Sequence, residues 1–240
     1  MKAGDKILIV MAAGSGSRMG GALPKQFLDL GGKPVLRRTI EVFLSAEPDI
    51  RVVTVLPKDH IETWKEYCLS ADFNCPQLLV PGGFTRFHSV RNALERVPDG
   101  TIVAIHDGVR PLVSPGLVKE MFSAMSTRRH RALIPVLPST DTLKLLDKSV
   151  GPDGKEVLTA SPDEIDRSRV YRAQTPQMFL SADIKEAYAQ AFDTSFTDDA
   201  SVAARKGIPL SFIEGERYNI KLTSPEDLAL ARMIISSPLR

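Results

Sequence analysis

Apolar residues along the chain fall into two alternating patterns. Ile7-Leu8-Ile9-Val10-Met11, Val52-Val53-Thr54-Val55-Leu56, Ile102-Val103-Ala104-Ile105 and Ala132-Leu133-Ile134-Pro135-Val136 are short continuous runs with many β-branched residues, as expected of strands covered on both faces. Leu78-Leu79-Val80 and Leu210-Ser211-Phe212-Ile213 predict two shorter strands. Between these runs, apolar residues recur at helical spacing. They are Leu36, Ile40, Phe43 and Leu44 after Pro34, then Val90, Ala93, Leu94 and Val97 after a capping Thr85, and Val118, Met121, Phe122 and Met125 after Ser114-Pro115. Ile184, Ala187, Tyr188 and Ala191 predict a further helix, and Leu228, Ala231 and Ile235 follow the capped start Ser224-Pro225. Strands alternating with amphipathic helices predict an α/β fold on a doubly wound, mostly parallel sheet, with ligands at the carboxyl ends of the strands.

The alternation fails from Leu137 to Gln174, where Pro, Ser, Thr, Asp and Gly surround short apolar pieces such as Thr142-Leu143-Lys144-Leu145-Leu146. A stretch of that length is too long for a loop in a compact domain. Residues 137–174 are therefore expected to form a protruding arm, or to reach another subunit, while residues 1–240 read as a single domain large enough to bury a sizeable core.

Composition then narrows the function classes. A chain with 43% hydrophobic and 25% charged residues is not a disordered one. A net charge of +2 is too small and too dispersed for a nucleic-acid binder. The two cysteines, Cys68 and Cys75, support neither a disulfide framework nor a four-cysteine zinc site. The apolar run from Ile7 to Ala13 leads into glycines rather than a cleavage-site pattern, and no run approaches the length of a membrane span, so a cytoplasmic protein is expected.

The richest chemistry follows the first strand, in Ala12-Ala13-Gly14-Ser15-Gly16-Ser17-Arg18-Met19 and then Pro24-Lys25-Gln26. Glycines after a buried strand let backbone N–H groups approach an anion, and Arg18 and Lys25 add the positive charge a triphosphate requires. The loop is not a dinucleotide fingerprint, which needs glycine where Met19 stands, nor a Walker loop, which ends in Gly-Lys-Ser/Thr. His106, at the end of another strand, reads as a hydrogen-bonded structural residue.

The first loop resembles the signature of the sugar-phosphate nucleotidyltransferases. Further strings follow in that family's order: Gly82-Gly83 with Arg86 and Ser89-Val90, His106-Asp107-Gly108-Val109-Arg110-Pro111, Asp141-Thr142, Asp166-Arg167, Thr175-Pro176-Gln177, Thr197-Asp198 and Asn219-Ile220-Lys221. Together, from about Ile7 to Ile234, they resemble the 2-C-methyl-D-erythritol 4-phosphate cytidylyltransferase family of the non-mevalonate isoprenoid pathway. The resemblance implies CTP and 2-C-methyl-D-erythritol 4-phosphate as substrates, with Mg2+ held chiefly by the triphosphate and Asp107 as its one candidate protein ligand. It implies a homodimer formed through the 137–174 arm.

The same resemblance implies that Arg18 and Lys25 contact the phosphates, with Gly14 and Gly16 in the cradle. It implies that Ala12, Ala13, Gly83 and Ser89 surround the cytosine, and that Asp107 and Gly108 lie beside the ribose and the phosphates. Arg110, Thr175, Thr197 and Lys221 are implied to face the second substrate or the reacting phosphate, and Thr142 and Arg167 to reach the partner's site. The sequence departs from the family pattern at Phe84, where a small or acidic residue is common, and in the longer segment Val136-Leu137-Pro138-Ser139-Thr140. A phosphate monoester with its second pKa near 6 is already an oxygen nucleophile at neutral pH, so no catalytic triad is expected. Ribitol 5-phosphate cytidylyltransferase is the nearer alternative, and a non-catalytic nucleotide-binding protein is the alternative of another class.

Overall fold

The structure, a computed structural model, describes residues 5–14 and 23–237. Its centre is a mixed sheet of β1 (Lys6–Met11), β2 (Arg51–Leu56), β3 (Gln77–Pro81), β4 (Ile102–Asp107), β5 (Ala132–Pro138), β8 (Tyr171–Ala173), β9 (Gln177–Leu180) and β10 (Leu210–Glu214). The strand order is β10-β5-β9-β4-β1-β2-β3, with β8 pairing on β5. β1 pairs parallel with both β2 and β4, β2 with β3, and β5 with β10. The α/β, mostly parallel sheet expected from the sequence is therefore present. β9 is an exception to it, inserted antiparallel between β4 and β5.

The predicted helices appear as α1 (Val35–Ala46), α3 (Arg86–Leu94), α4 (Pro115–Ser126), α5 (Ser181–Tyr188) and α7 (Pro225–Ser236), joined by α2 (Ile61–Ser70) and α6 (Asp199–Arg205). Their starts follow the local chemistry. Thr85, Ser114 and Ser224 each accept a backbone N–H of the first turn, and Pro115 and Pro225 occupy first-turn positions where a missing N–H costs nothing. Two helices stop earlier than the apolar spacing suggests: Val97 lies beyond α3, although buried, and Ala191 lies beyond α5.

Alternate residues of the central strands enter opposite layers. Ile7, Ile9, Val53, Val55, Val103 and Ile105 pack against α3, α5 and α6, while Leu8, Val10, Val52, Ile102 and Ala104 pack against α1, α2 and α4. Burial on both faces explains why these strands read as continuous apolar runs. A third, smaller cluster seats α7 through Leu228 and Ala231 against Leu30, Val35, Val109 and Leu222.

Within residues 137–174, β5 and β8 pair in the main sheet, and the chain between them carries the antiparallel hairpin of β6 (Leu146–Val150) and β7 (Glu156–Ala160). Every residue of these two strands is exposed. Gln174 and Thr175, just after β8, are buried.

Candidate active site

β1, β2 and β3 step outward in one direction and β4 lies on the other side of β1. The carboxyl ends of β1 and β4 therefore form the crevice at which open α/β sheets bind ligands. A cavity of about 480 Å³ opens there, lined among others by Ala12, Ala13, Gly14, Lys25, Gln26, Gly83, Arg86, Ser89, Asp107 and Lys221. Sequence-distant strings that shared only their chemistry thus meet at one place.

Ala12, the first residue after β1, is held by hydrogen bonds at both its N–H and its carbonyl. Ala12 donates its N–H to the Val55 carbonyl (2.9 Å), and the Ala12 carbonyl accepts from the buried Gln26 Nε2 (2.7 Å). Gly108 donates to the Met11 carbonyl (2.8 Å). A Cβ at Gly108 would stand 3.1 Å from both Ala12 Cβ and Met11 O, a tight contact that glycine avoids. Gly16 and Arg18 lie outside the described residues.

Asp107 is the electrostatic centre of the cleft. Its Oδ2 lies 3.1 Å from Lys221 Nζ and 3.2 Å from Arg110 Nε, and its Oδ1 lies 4.0 Å from Arg86 Nε. Burial alone would raise its pKa, but Lys221, Arg86 and Arg110 outweigh burial and hold the carboxyl well below the usual carboxylate range. It is therefore ionised at neutral pH and gathers cations rather than protons. Lys221 reaches it because Leu222 donates to the Val109 carbonyl (2.9 Å), which lays the Asn219-Ile220-Lys221 segment beside the loop after β4.

The network behind Asp107 assigns several residues to positioning. Arg110 Nη1 donates to the Asn219 carbonyl (2.7 Å), so much of its guanidinium is committed within the protein. His106 Nε2 lies 3.1 Å from the Arg110 carbonyl, which can only accept, so this nitrogen carries the proton. His106 Nδ1 then accepts from the Thr175 hydroxyl (3.0 Å), whose oxygen accepts the Asp107 N–H (3.1 Å). Burial lowers the His106 imidazole to about 4, leaving it neutral and fully bonded. Its expected structural role fits this geometry. Thr175, implied by the resemblance to face substrate, has its hydroxyl spent on His106 and Asp107.

Ser89 is similarly committed. Its hydroxyl accepts the Gly83 N–H (3.0 Å) and donates to the Thr85 carbonyl (2.9 Å), which fixes the loop between β3 and α3. A Cβ at Gly83 would lie 2.6 Å from His88 Cβ, so this loop also packs too tightly for a side chain. Thr197 is exposed outside the cavity lining, with its N–H donating to Ser201 Oγ (3.1 Å). Thr142 and Arg167 are exposed between β5 and β8, outside the cavity lining.

Sequence reasoning assigned no role to Gln26, Arg86 or Asp199. Arg86 lines the cleft and is gripped by both oxygens of the fully buried Asp199 (2.8 and 2.6 Å), which also accepts the Tyr188 hydroxyl (2.5 Å). Burial opposes the Arg86 charge, but Asp199 outweighs burial and raises its pKa above the ordinary guanidinium value. The sequence signal for Arg86 and Gln26 was their place inside matching strings. Asp199 had none, since an acidic residue in the first turn of a helix is accounted for by the helix dipole. Asp199→Asn is expected to destabilise the fold by about 3 kcal/mol, because it removes the charge of Arg86's bidentate partner and leaves only the more distant Asp107. Urea denaturation checks this, and a loss below about 1 kcal/mol would show that Arg86 relaxes into water at no cost.

Among the described residues, no group of three or more His, Cys, Asp or Glu side chains could hold a metal. Asp107 is the carboxylate lining the cavity. No helix among them is long and apolar enough to cross a membrane.

Known proteins resemble this chain over almost its full length. The family model described as 2-C-methyl-D-erythritol 4-phosphate cytidylyltransferase matches residues 6–237. Proteins of that description from Porphyromonas gingivalis and Bacteroides fragilis are 43% and 41% identical, each over 95% of this chain and 97% and 98% of their own. The crystal structure of the Thermus thermophilus enzyme of that description superposes with a TM-score of 0.71 at 30% identity, covering 97% of this chain and 100% of that one. The 4-diphosphocytidyl-2C-methyl-D-erythritol synthase structure from Anaerococcus prevotii gives 0.75 at 26% identity, covering 98% and 97%. Matches that run almost end to end, in sequence and in fold, establish that the chain belongs to the 2-C-methyl-D-erythritol 4-phosphate cytidylyltransferase family.

Proposed function

We propose that the strand-end cleft carries out the reaction of this family with Lys25, Lys221 and Arg18 as its catalytic cations and with Arg167 supplied by a second subunit. The chain is a nucleotidyltransferase of isoprenoid biosynthesis that joins CTP to 2-C-methyl-D-erythritol 4-phosphate, giving 4-diphosphocytidyl-2-C-methyl-D-erythritol and pyrophosphate. An oxygen of the 4-phosphate forms the new bond to the α-phosphorus of CTP, and the bond from that phosphorus to the oxygen bridging toward the β-phosphorus breaks, releasing pyrophosphate. The monoester is dianionic near neutral pH, so the attack needs no general base, in keeping with the engagement of both ring nitrogens of His106.

The barrier is charge: a dianion must approach a polyanion. The observation that carries the reading is Lys221 held 3.1 Å from an ionised, buried Asp107 at the carboxyl ends of β1 and β4, in the cavity that Lys25 also lines. Preorganised cations of this kind act where charge develops and need no reorganisation during reaction. Lys25 and Arg18 neutralise the triphosphate, Lys221 faces the reacting phosphates while Arg110 holds Asp107 behind it, and Ala12, Ala13 and Gly83 surround the base. Among the described residues Asp107 is the one carboxylate in the cavity lining, a donor set that suits Mg2+, which binds through one or two carboxylates and substrate phosphates. When bound, Mg2+ would be held by Asp107 together with the substrate and would supply positive charge that offsets the negative charge of the phosphates.

The hairpin supports a homodimer through the arm. An isolated two-stranded ribbon is at best marginally stable in water, yet this one exposes Leu146, Val150, Val157 and Leu158, with Leu143, Leu145 and Tyr171 nearby. A second copy covering these residues would bring Thr142 and Arg167 to the other subunit's cleft, in a protein we place in the cytoplasm. The direct test is pyrophosphate release with CTP, Mg2+ and a panel of polyol phosphates. Turnover is expected with 2-C-methyl-D-erythritol 4-phosphate. Turnover with ribitol 5-phosphate alone, or nucleotide binding without turnover on any of them, would overturn the reading.

A further inference from the structure

Phe84 is 101% exposed, yet it lines the cleft. The surrounding aromatics are used in packing: Phe87 lies against Tyr188, Phe192 and Phe196 at centroid distances of 4.7, 5.6 and 5.7 Å, while Phe84 meets only the edge of His88 at 6.4 Å and 87°. Its exposure does not come from a loose loop. Gly83 before it is bonded to Ser89 Oγ, and Thr85 after it accepts the His88 N–H (3.4 Å) and pairs with His88 Nδ1 (2.9 Å). Because Gly83 has no room for a side chain, Phe84 is the first residue after β3 that can present one at the cleft rim. The result is an apolar ring with open faces, on an anchored backbone, in a cleft also lined by Ala12, Ala13 and Gly83, residues with little or no side chain to cover the main chain.

A planar heterocycle needs those two kinds of surface, hydrogen-bonding groups along its edge and an aromatic ring over its face. We propose that Phe84 is the stacking platform for the cytosine ring of CTP. The proposal rests on the reading that the base lies against Ala12, Ala13 and Gly83, and it gives a use to the residue at which this chain departs from the family pattern. Stacking depends on the π-face rather than on the edge pattern, so Phe84 contributes affinity for a pyrimidine nucleotide while the backbone groups select the base.

Titration calorimetry on the Mg2+-containing enzyme tests this with wild type, Phe84→Ala and Phe84→Tyr, using CTP, UTP and inorganic tripolyphosphate, which has no base. Phe84→Ala is expected to weaken CTP about tenfold and UTP by the same factor, corresponding to about 1.4 kcal/mol, while Phe84→Tyr restores CTP affinity and tripolyphosphate binds all three proteins alike. CTP affinity of Phe84→Ala within twofold of wild type would overturn the proposal. So would an equal loss of tripolyphosphate, which would mean a distorted loop rather than a lost platform. If wild type binds CTP no better than tripolyphosphate, the base site itself is misread, a failure that wild type alone reveals.

Discussion

Lys25→Ala is expected to fold normally and to lose at least about a hundredfold in kcat. Lys25 begins a single 3-10 turn, Lys25–Phe27, after Pro24, and lines the cleft. Its neighbours fix the place of that turn: Gln26 Nε2 bonds the Ala12 carbonyl at 2.7 Å, Phe27 donates to the Pro24 carbonyl at 2.9 Å, and the Phe27 ring packs 6.1 Å from that of Trp64. The ammonium can therefore be removed with the turn left in place. What is lost is a preorganised charge facing a polyanion, and removing one such group costs about 100- to 1,000-fold in kcat. Steady-state kinetics alongside a denaturation curve checks both halves, and a kcat within tenfold of wild type would remove Lys25 from the catalytic set.

The second large effect concerns the arm. Homodimers of Lys25→Ala and of Arg167→Ala are each expected to be nearly inactive, since in the proposed two-fold arrangement every site lacks one cation. After subunit exchange, a mixed dimer holds one site missing both residues and one site with both intact. Random pairing makes half of the dimers mixed, so about a quarter of wild-type activity returns, given two-fold symmetry and independent sites. Mass spectrometry of tagged subunits verifies the exchange. If exchange is complete and activity stays at the level of the parents, Lys25 and Arg167 do not meet across an interface.

Much of this molecule was legible in the sequence for a local reason. The strands covered on both faces announce themselves as unbroken apolar runs, and Thr85, Ser114 and Ser224 mark helix starts because a cap acts within one turn of chain. β9 was missed because Gln177-Met178-Phe179-Leu180 is short, and its buried Gln177 is stabilised by a partner distant in sequence, Asp198 (2.8 Å), which sequence periodicity cannot display. Part of the expected arm proved to belong to the main sheet for a related reason: Tyr171–Ala173 is a strand because β5 lies beside it.

The site divides along the same line. The glycine loop with Lys25 could be read directly as an anion cradle, since that chemistry is carried by composition and spacing within a few residues, whereas Lys221 entered only through the resemblance. The roles of the hydroxyl side chains could not be read. A hydroxyl such as Thr175 or Ser89 could serve substrate or backbone equally well, and only the packing of β4 against the segment after β8, and of α3 against its own entry loop, spends both on the protein. Asp107 became the collector of Lys221, and Asp199 the partner of Arg86, because folding brings charges more than a hundred positions apart to 3.1 and 2.8 Å of each other in a buried place, where Arg110 and Arg86 also face Asp107. Local sequence determines which groups are available. Whether a charge faces water, a ligand or another charge depends on distance and burial, and those exist only once the sheet has closed.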